Sequence, residues 1–124
     1  RNTFLNSPKL MAENLALKAH PNVWFAGQIT GFEGYMESAA CGLLAARGIL
    51  AALEGKTMTP PPADTMCGAL IRYITSENKD FQPMGSNMGI LPPLETHIRD
   101  KRERYAALAD RAVADMKAWL EAQQ

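Results

Sequence analysis

The stretch "NVWFAGQITGFEGYMESAACGLLAA", residues 22–46, decides how the rest of the chain is read. It opens on an apolar run, carries Gly27, Gly31 and Gly34, and then passes into a long series of small side chains. "VWFAG", residues 23–27, has the β-branched and aromatic content of a short buried strand ended by a glycine. From about Gly34 to Leu53 the sequence predicts a helix, with Gly55 as its C-terminal stop. Ala39, Ala40, Gly42, Ala45, Ala46, Gly48, Ala51 and Ala52 make that helix small on nearly every face. Glycine in a helix interior costs on the order of 1 kcal/mol against alanine. A helix accepts that cost where another element comes very close. A strand, a run of glycines and a helix start together present free backbone N–H groups and the positive end of a helix dipole, which stabilise anions and carbonyl oxygens. Glycines also remove the side chains that would hold a ligand away. The spacing Gly27-x3-Gly31-x2-Gly34 is not G-x-G-x-x-G, and no acidic residue follows at the right distance, so the dinucleotide fingerprint is excluded. Spacing alone leaves two readings open: a seat for a ligand, or close helix–strand packing.

The rest of the composition narrows the class. A chain of 124 residues with 47% hydrophobic and 21% charged residues has the makeup of one modest globular domain. Lys+Arg and Asp+Glu each number 13, so no overall positive field draws in a polyanion. Cys41 and Cys67 lie far apart with no metal-ligand spacing around them, which points to a reducing cytoplasm and away from a disulfide scaffold or metal site. No apolar run approaches the roughly 20 residues of a membrane span, and no secretory signal is visible. The chain starts at Arg1 with no initiator methionine, so a fragment or processed product is expected.

Outside the central stretch, "RNTFLNSPKLM" is expected to start extended, with a helical turn or two between Leu10 and Leu17. "HPN", residues 20–22, is a turn signal. "KTMTPPPAD" is a stiff linker, its three prolines at 60–62. Asp64 or Thr65 then caps a helix over about 65–76, with Met66, Ala69, Leu70 and Tyr73 as its buried face. "SENKDFQPMGSNMGILPPL" is irregular. The longest helix is predicted from Glu95 to about Ala122, with Ile98, Tyr105, Leu108, Ala112, Met116, Trp119 and Leu120 as its apolar stripe.

Several of these words occur together elsewhere. "FAGQITGFEGYMESAACGLLAA" resembles the last cofactor-contacting segment of the folate- and FAD-dependent tRNA (uracil-5-)-methyltransferases of the TrmFO type. "FLNSPKL" (4–10), "GALIRYIT" (68–75), "FQPMGSNMGILPPL" (81–94) and "RDKRERYAALADRA" (99–112) follow in the order of that family's C-terminal end, so the resemblance covers essentially the whole chain. The related MnmG-type wobble-uridine enzymes share a segment like "FAGQITGFEGYMESA" but are not expected to share "FQPM" and "GILPPL".

The resemblance implies an α-rich α/β fold. It would be the C-terminal part of a Rossmann-like FAD-binding domain, mainly helices with one or a few short strands completing a sheet from elsewhere. Residues 1–58 would belong to that domain, and 59–124 would continue it as a helical region. The implied reaction methylates C5 of a T-loop uridine in tRNA, with methylenetetrahydrofolate as carbon donor, FADH2 as reductant and NAD(P)H recharging the flavin. By resemblance, Gly27, Gln28, Ile29, Thr30 and Gly31 lie against FAD, backbone donors from Gly34 to Met36 face its ring, and Tyr35 stacks on the folate pterin. The glycine motif and catalytic cysteines of the family lie outside these residues, so no catalytic residue is assigned and the chain alone is expected to be inactive.

Other residues carry milder readings. Cys41 and Cys67, where relatives more usually have Ser and Leu, read as small buried thiols. Glu33 and Glu37 complement the dipole in the first helical turn. Arg99, Lys101, Arg102 and Arg104, interleaved with Asp100 and Glu103, form a solvated, salt-bridged face. Their sharper reading is a tRNA phosphate contact through Arg99 and Arg102. His20 and His97 have no visible catalytic partner, while Gln82 and Asn87 are candidates to line a polar pocket near the cofactor. Partners implied are tRNA and folate, in the cytoplasm and without a membrane, with self-association expected of a truncated piece. The competing class is a free-standing helical interaction module.

Overall fold

The computed structural model describes residues 3–123. It is built from four α-helices: α1 (Ser7–Leu10), α2 (Tyr35–Leu53), α3 (Met66–Thr75) and α4 (Lys101–Ala122), with 3-10 turns at Gln28–Thr30 and Met88–Ile90. The expected strand at 23–27 is not a ladder strand. Among the described residues, β-pairing consists of isolated bridges: Met11–Leu17 and Ala16–Trp24 antiparallel, and Phe32–Met84 parallel. "VWFAG" instead forms one arm of a small hairpin over the "HPN" turn. There the Leu17 N–H donates to the Val23 carbonyl at 2.8 Å and the Phe25 N–H to that of Leu15 at 3.2 Å. The fold among the described residues is therefore helix-rich.

The helical turn expected between Leu10 and Leu17 lies earlier. Pro8 sits in the first turn of α1, where its missing N–H is no loss, while Leu15–Leu17 supply the other hairpin arm and Met11 and Ala12 pair back onto it. The long terminal helix also starts six residues later than the sequence suggests. Asp100 takes the N-cap, its carboxylate accepting from the Glu103 N–H at 2.9 Å. The Arg104 guanidinium donates to the carbonyls of Ile98 and Arg99, which occupies the acceptors a longer helix would need. Ile98 thus drops out of the stripe, and of the remainder Leu108 and Trp119 are buried.

α2 and α3 follow the expected limits closely. Gly34 and Gly55 flank α2, and Thr65 caps α3, its hydroxyl accepting from the Gly68 N–H at 3.0 Å and donating to the Pro62 carbonyl at 2.6 Å. The buried face of α3 is Gly68 to Ile71 with Ile74, one step round from the expected one, leaving Met66 and Tyr73 half-buried. Its Leu70, Ile71 and Ile74 meet Met11, Phe32 and Phe81 in the main core. A smaller cluster of Ala69, Leu91 and Leu108 joins α3 to α4 through the "GILPPL" segment. The linker is held at both ends: the Trp119 indole donates to the Thr59 carbonyl at 3.0 Å, and Pro61 is fully buried. Arg111 fastens α4 to the chain before it, reaching the Pro92 and Pro93 carbonyls and lying 3.6 Å from the Asp64 carboxylate.

α2 has an unusual surface. By length and composition it is apolar enough to cross a membrane, the only such helix among the described residues, so the sequence-based statement about apolar runs needs that correction. Its inner face buries Cys41, Leu44, Ala45 and Gly48, yet Met36, Leu43, Leu50 and Leu53 are exposed. The two helix glycines also differ. A Cβ on Gly48 would lie 2.7 Å from the Asn14 carbonyl oxygen and 3.0 Å from the Trp24 indole nitrogen, whereas one on Gly42 meets nothing within 4 Å. Close approach explains the first glycine and not the second.

The tightest contact is at Gly68, where a Cβ would stand 1.9 Å from the Pro62 carbonyl oxygen and 2.5 Å from that of Pro61. Gly68→Ala is expected to lower unfolding free energy by about 2 kcal/mol or more through overpacking against backbone. Gly42→Ala is expected to raise it by up to about 1 kcal/mol. Urea unfolding of the full-length variants, followed by tryptophan fluorescence, checks both.

Candidate functional site at the glycine turn

Three positive φ angles build the turn: +86° at Gly27, +107° at Gly31 and +110° at Gly34. These values alone select glycine, before any ligand is considered. Gly31 has a second reason, since a Cβ there would come within 2.5 Å of the Phe81 ring. Its close neighbour is thus a core side chain, and Gly31 faces inward. At Gly34 a Cβ would strike the Glu37 carboxylate at 2.4 Å, while at Gly27 it would find ordinary contact with Ser38 at 3.8 Å.

Thr30 is the internal brace of the turn. Fully buried, it donates its hydroxyl to the Gly27 carbonyl at 2.7 Å and lies 3.8 Å from the Cys41 sulfur. The Ser7 hydroxyl donates to the Thr30 carbonyl at 2.6 Å, and the Leu5 N–H to that of Ile29 at 2.8 Å. On the other side the Met84 N–H donates to the Gly31 carbonyl at 2.8 Å, and the Glu33 N–H to that of Met84 at 3.0 Å. This clip between the turn and the "FQPMGSN" segment has no periodic signal in the sequence; only the glycine and proline punctuation around both segments hints at it.

The start of α2 stays open. Its hydrogen-bond ladder begins with the Ser38 N–H donating to the Gly34 carbonyl at 3.0 Å, which leaves the amides of Tyr35, Met36 and Glu37 outside it. Glu37 covers part of that end: its carboxylate accepts from the Ser86 N–H at 2.9 Å. That bond, the largest cause, holds the Glu37 carboxyl below the ordinary carboxylate range. The amides of Tyr35 and Met36 have no protein acceptor among the described residues. The Tyr35 ring beside them is 97% exposed and Met36 is 82% exposed. Gln28 is exposed and Ile29 half-buried. Among the described residues, then, the turn borders an open surface: two free amides at a positive helix end, an exposed aromatic ring and glycine backbone. A flat, electron-rich ring fits such a surface.

The remaining candidates separate from this surface. Arg99 and Arg102 are exposed at the start of α4, and neither forms an ion pair among the described residues. The cluster is solvated, without the expected salt bridges; Lys101 and Arg104 lie over the Tyr105 ring at 5.5 and 5.6 Å. His97 lines a cavity of about 340 Å³ with Arg104, Tyr105 and Leu108, and the turn does not contribute to it. His20 is exposed beside the hairpin turn. Asn87 bonds locally to Met84 and Gly85, and Gln82 offers its carbonyl to the Tyr73 hydroxyl at 2.6 Å. Burial pushes both thiols, Cys41 and Cys67, above the ordinary value, so neither is a ready nucleophile.

Known proteins give this surface its context. The family described as glucose inhibited division protein A matches residues 1–57, which contain the whole glycine turn and α2. Relatives named methylenetetrahydrofolate–tRNA-(uracil-5-)-methyltransferase TrmFO match almost the entire chain. The protein from Cereibacter sphaeroides strain ATCC 17029 is 50% identical across 97% of this chain and 28% of its own length. That from Paracoccus denitrificans is 50% identical over the same shares, and that from Rhodobacter capsulatus 48% identical over 99% and 29%. The chain is similar to TrmFO-type methyltransferases over almost its whole length, and it spans under a third of the length of the curated relatives it matches.

A testable consequence concerns Glu37. Its carboxyl ionises more readily folded than unfolded, so its stabilisation is complete above the ordinary carboxylate range and is lost as pH falls through the lowered value. The difference in melting temperature between the natural protein and Glu37→Gln is expected at neutral pH and should vanish on acidification. A pH series of thermal melts checks this.

Proposed function

We propose that this chain forms one wall of the flavin and folate site in an enzyme that methylates C5 of a T-loop uridine in tRNA, with methylenetetrahydrofolate as carbon donor. The observation that carries the reading is the half-identity to TrmFO methyltransferases along 97% of the chain. That match runs beyond residue 57, through the triple proline and the "FQPMGSNMGILPPL" segment, and so favours the methyltransferase over an MnmG-type wobble-uridine enzyme. Residues 1–58 would then be the C-terminal part of a Rossmann-like FAD-binding domain, continued by 59–124, and the apolar outer face of α2 would be covered by the remainder of that domain. Left uncovered, the same face favours self-association. Cytoplasmic placement follows from a tRNA substrate.

Within the site, Gly27 to Gly31 shape the backbone against the cofactor, and the Tyr35 and Met36 amides stabilise negative charge on its reduced ring. Bound flavin supplies reducing equivalents that NAD(P)H restores. Tyr35 offers its face to the folate pterin, a role its exposure suits. Neither thiol of this chain acts in the chemistry, so the isolated chain transfers no methyl group.

Two measurements test this. Labelled one-carbon transfer to tRNA is expected from the full-length enzyme and absent from residues 1–124 alone; turnover by the chain alone would refute the division of labour. In the full-length enzyme, Tyr35→Ala is expected to raise KM for methylenetetrahydrofolate up to about tenfold, the scale of one aromatic stacking contact, with flavin content retained. An unchanged KM would remove Tyr35 from the site.

A further inference from the structure

A polar cleft of about 430 Å³ lies away from the glycine turn, lined by Lys9, Lys18 and Lys79 together with Asn6, Asn78 and Glu77. The three lysines come from segments far apart in sequence: the end of α1, the hairpin arm, and the loop after α3. Packing brings them together, since α1 lies on α3 and the Lys18 N–H donates to the Leu10 carbonyl at 2.9 Å. All three are exposed, and none forms an ion pair among the described residues. Glu77 is the one carboxylate among the lining residues, against three lysines.

A structural role does not account for this excess. Lysines near a helix C-terminus often serve its free carbonyls. Here hydroxyls already do so, Thr75 donating to the Ile71 carbonyl and Ser76 to that of Arg72. Three lysines against one carboxylate leave the lining net positive, and an anionic occupant offsets that charge. The start of α4 differs in origin: there Arg99, Lys101, Arg102 and Arg104 come from one continuous stretch, whereas the cleft lysines come from three separate segments. In a chain with zero net charge, attraction for a polyanion must be local.

We propose that the Lys9–Lys18–Lys79 cleft binds the phosphodiester backbone of the RNA substrate, with Asn6 and Asn78 as neutral hydrogen-bond donors to phosphate oxygens. This rests on the tRNA-modifying reading above. Ammonium groups supply position-holding charge with no base readout, so the cleft contributes affinity and orientation and leaves sequence selection to other parts of the enzyme.

The test uses full-length enzyme carrying Lys9→Gln, Lys18→Gln and Lys79→Gln together, with tRNA binding measured by filter retention across a salt series. Each lost phosphate contact lowers the slope of log K against log salt by about 0.7–0.9, so the triple variant should lose about two units of slope. Its Kd should rise at least about tenfold near 0.1 M salt, with flavin content, melting temperature and turnover at saturating tRNA kept. An unchanged slope and Kd in a variant whose parent methylates tRNA overturns the cleft while sparing the enzyme reading. A change confined to the KM for folate also overturns it. A natural enzyme that neither binds nor methylates tRNA overturns both.

Discussion

The parallel clip between Gly31–Glu33 and Met84 organises this structure. Two backbone hydrogen bonds, of 2.8 and 3.0 Å, join the glycine turn to a segment some fifty residues later. Ser86 adds a third through the Glu37 carboxylate at 2.9 Å. Because Gly31 has no Cβ, Phe81 closes directly over the turn, and its ring meets Phe4 at 5.8 Å and Tyr73 at 5.6 Å between centroids. One short contact therefore ties the N-terminal segment, the glycine turn, α3 and the irregular 81–94 stretch into a single core. The start of α2 inherits its position from that core, and the open amides at Tyr35 and Met36 are fixed by it although they lie at the surface.

The same arrangement divides the turn by role. Thr30 and Gly31 look inward and serve packing and backbone shape, whereas Gly27, Gln28, Tyr35 and Met36 remain toward solvent. Of the two readings that glycine spacing left open, close packing accounts for Gly31, whose missing Cβ admits the Phe81 ring. The core occupies the Gly31 side; the free amides and the exposed ring belong to the side available to a ligand.

What could be read from the sequence follows physical locality. α2 and α3 were legible because their signals are local: Gly34 and Gly55 as boundaries, Thr65 as a hydroxyl cap, and apolar residues at helical spacing. α4 was legible in its body but not at its start, because periodicity continued through Ile98 while the Asp100 cap and the Arg104–carbonyl bonds cut the helix short. "VWFAG" has a strand's composition, yet a strand is defined by its neighbour, and here that neighbour is a short hairpin arm. The glycine turn was found from its residue types. The buried use of the Thr30 hydroxyl and the lysine cleft were not, since both depend on segments that meet only after folding.

The proline linker has a mechanical meaning. Thr59 is held by the Trp119 indole, Pro61 is buried, and the Pro62 carbonyl rests against Gly68 and the Thr65 hydroxyl. Such a segment is a strut clamped at each end, not a tether with slack. A residue inserted between Thr59 and Thr65 would have to break one of these contacts, either the Trp119 bond at Thr59 or the fit of Pro62 against Gly68. Length, more than composition, is the property of this strut that the architecture constrains.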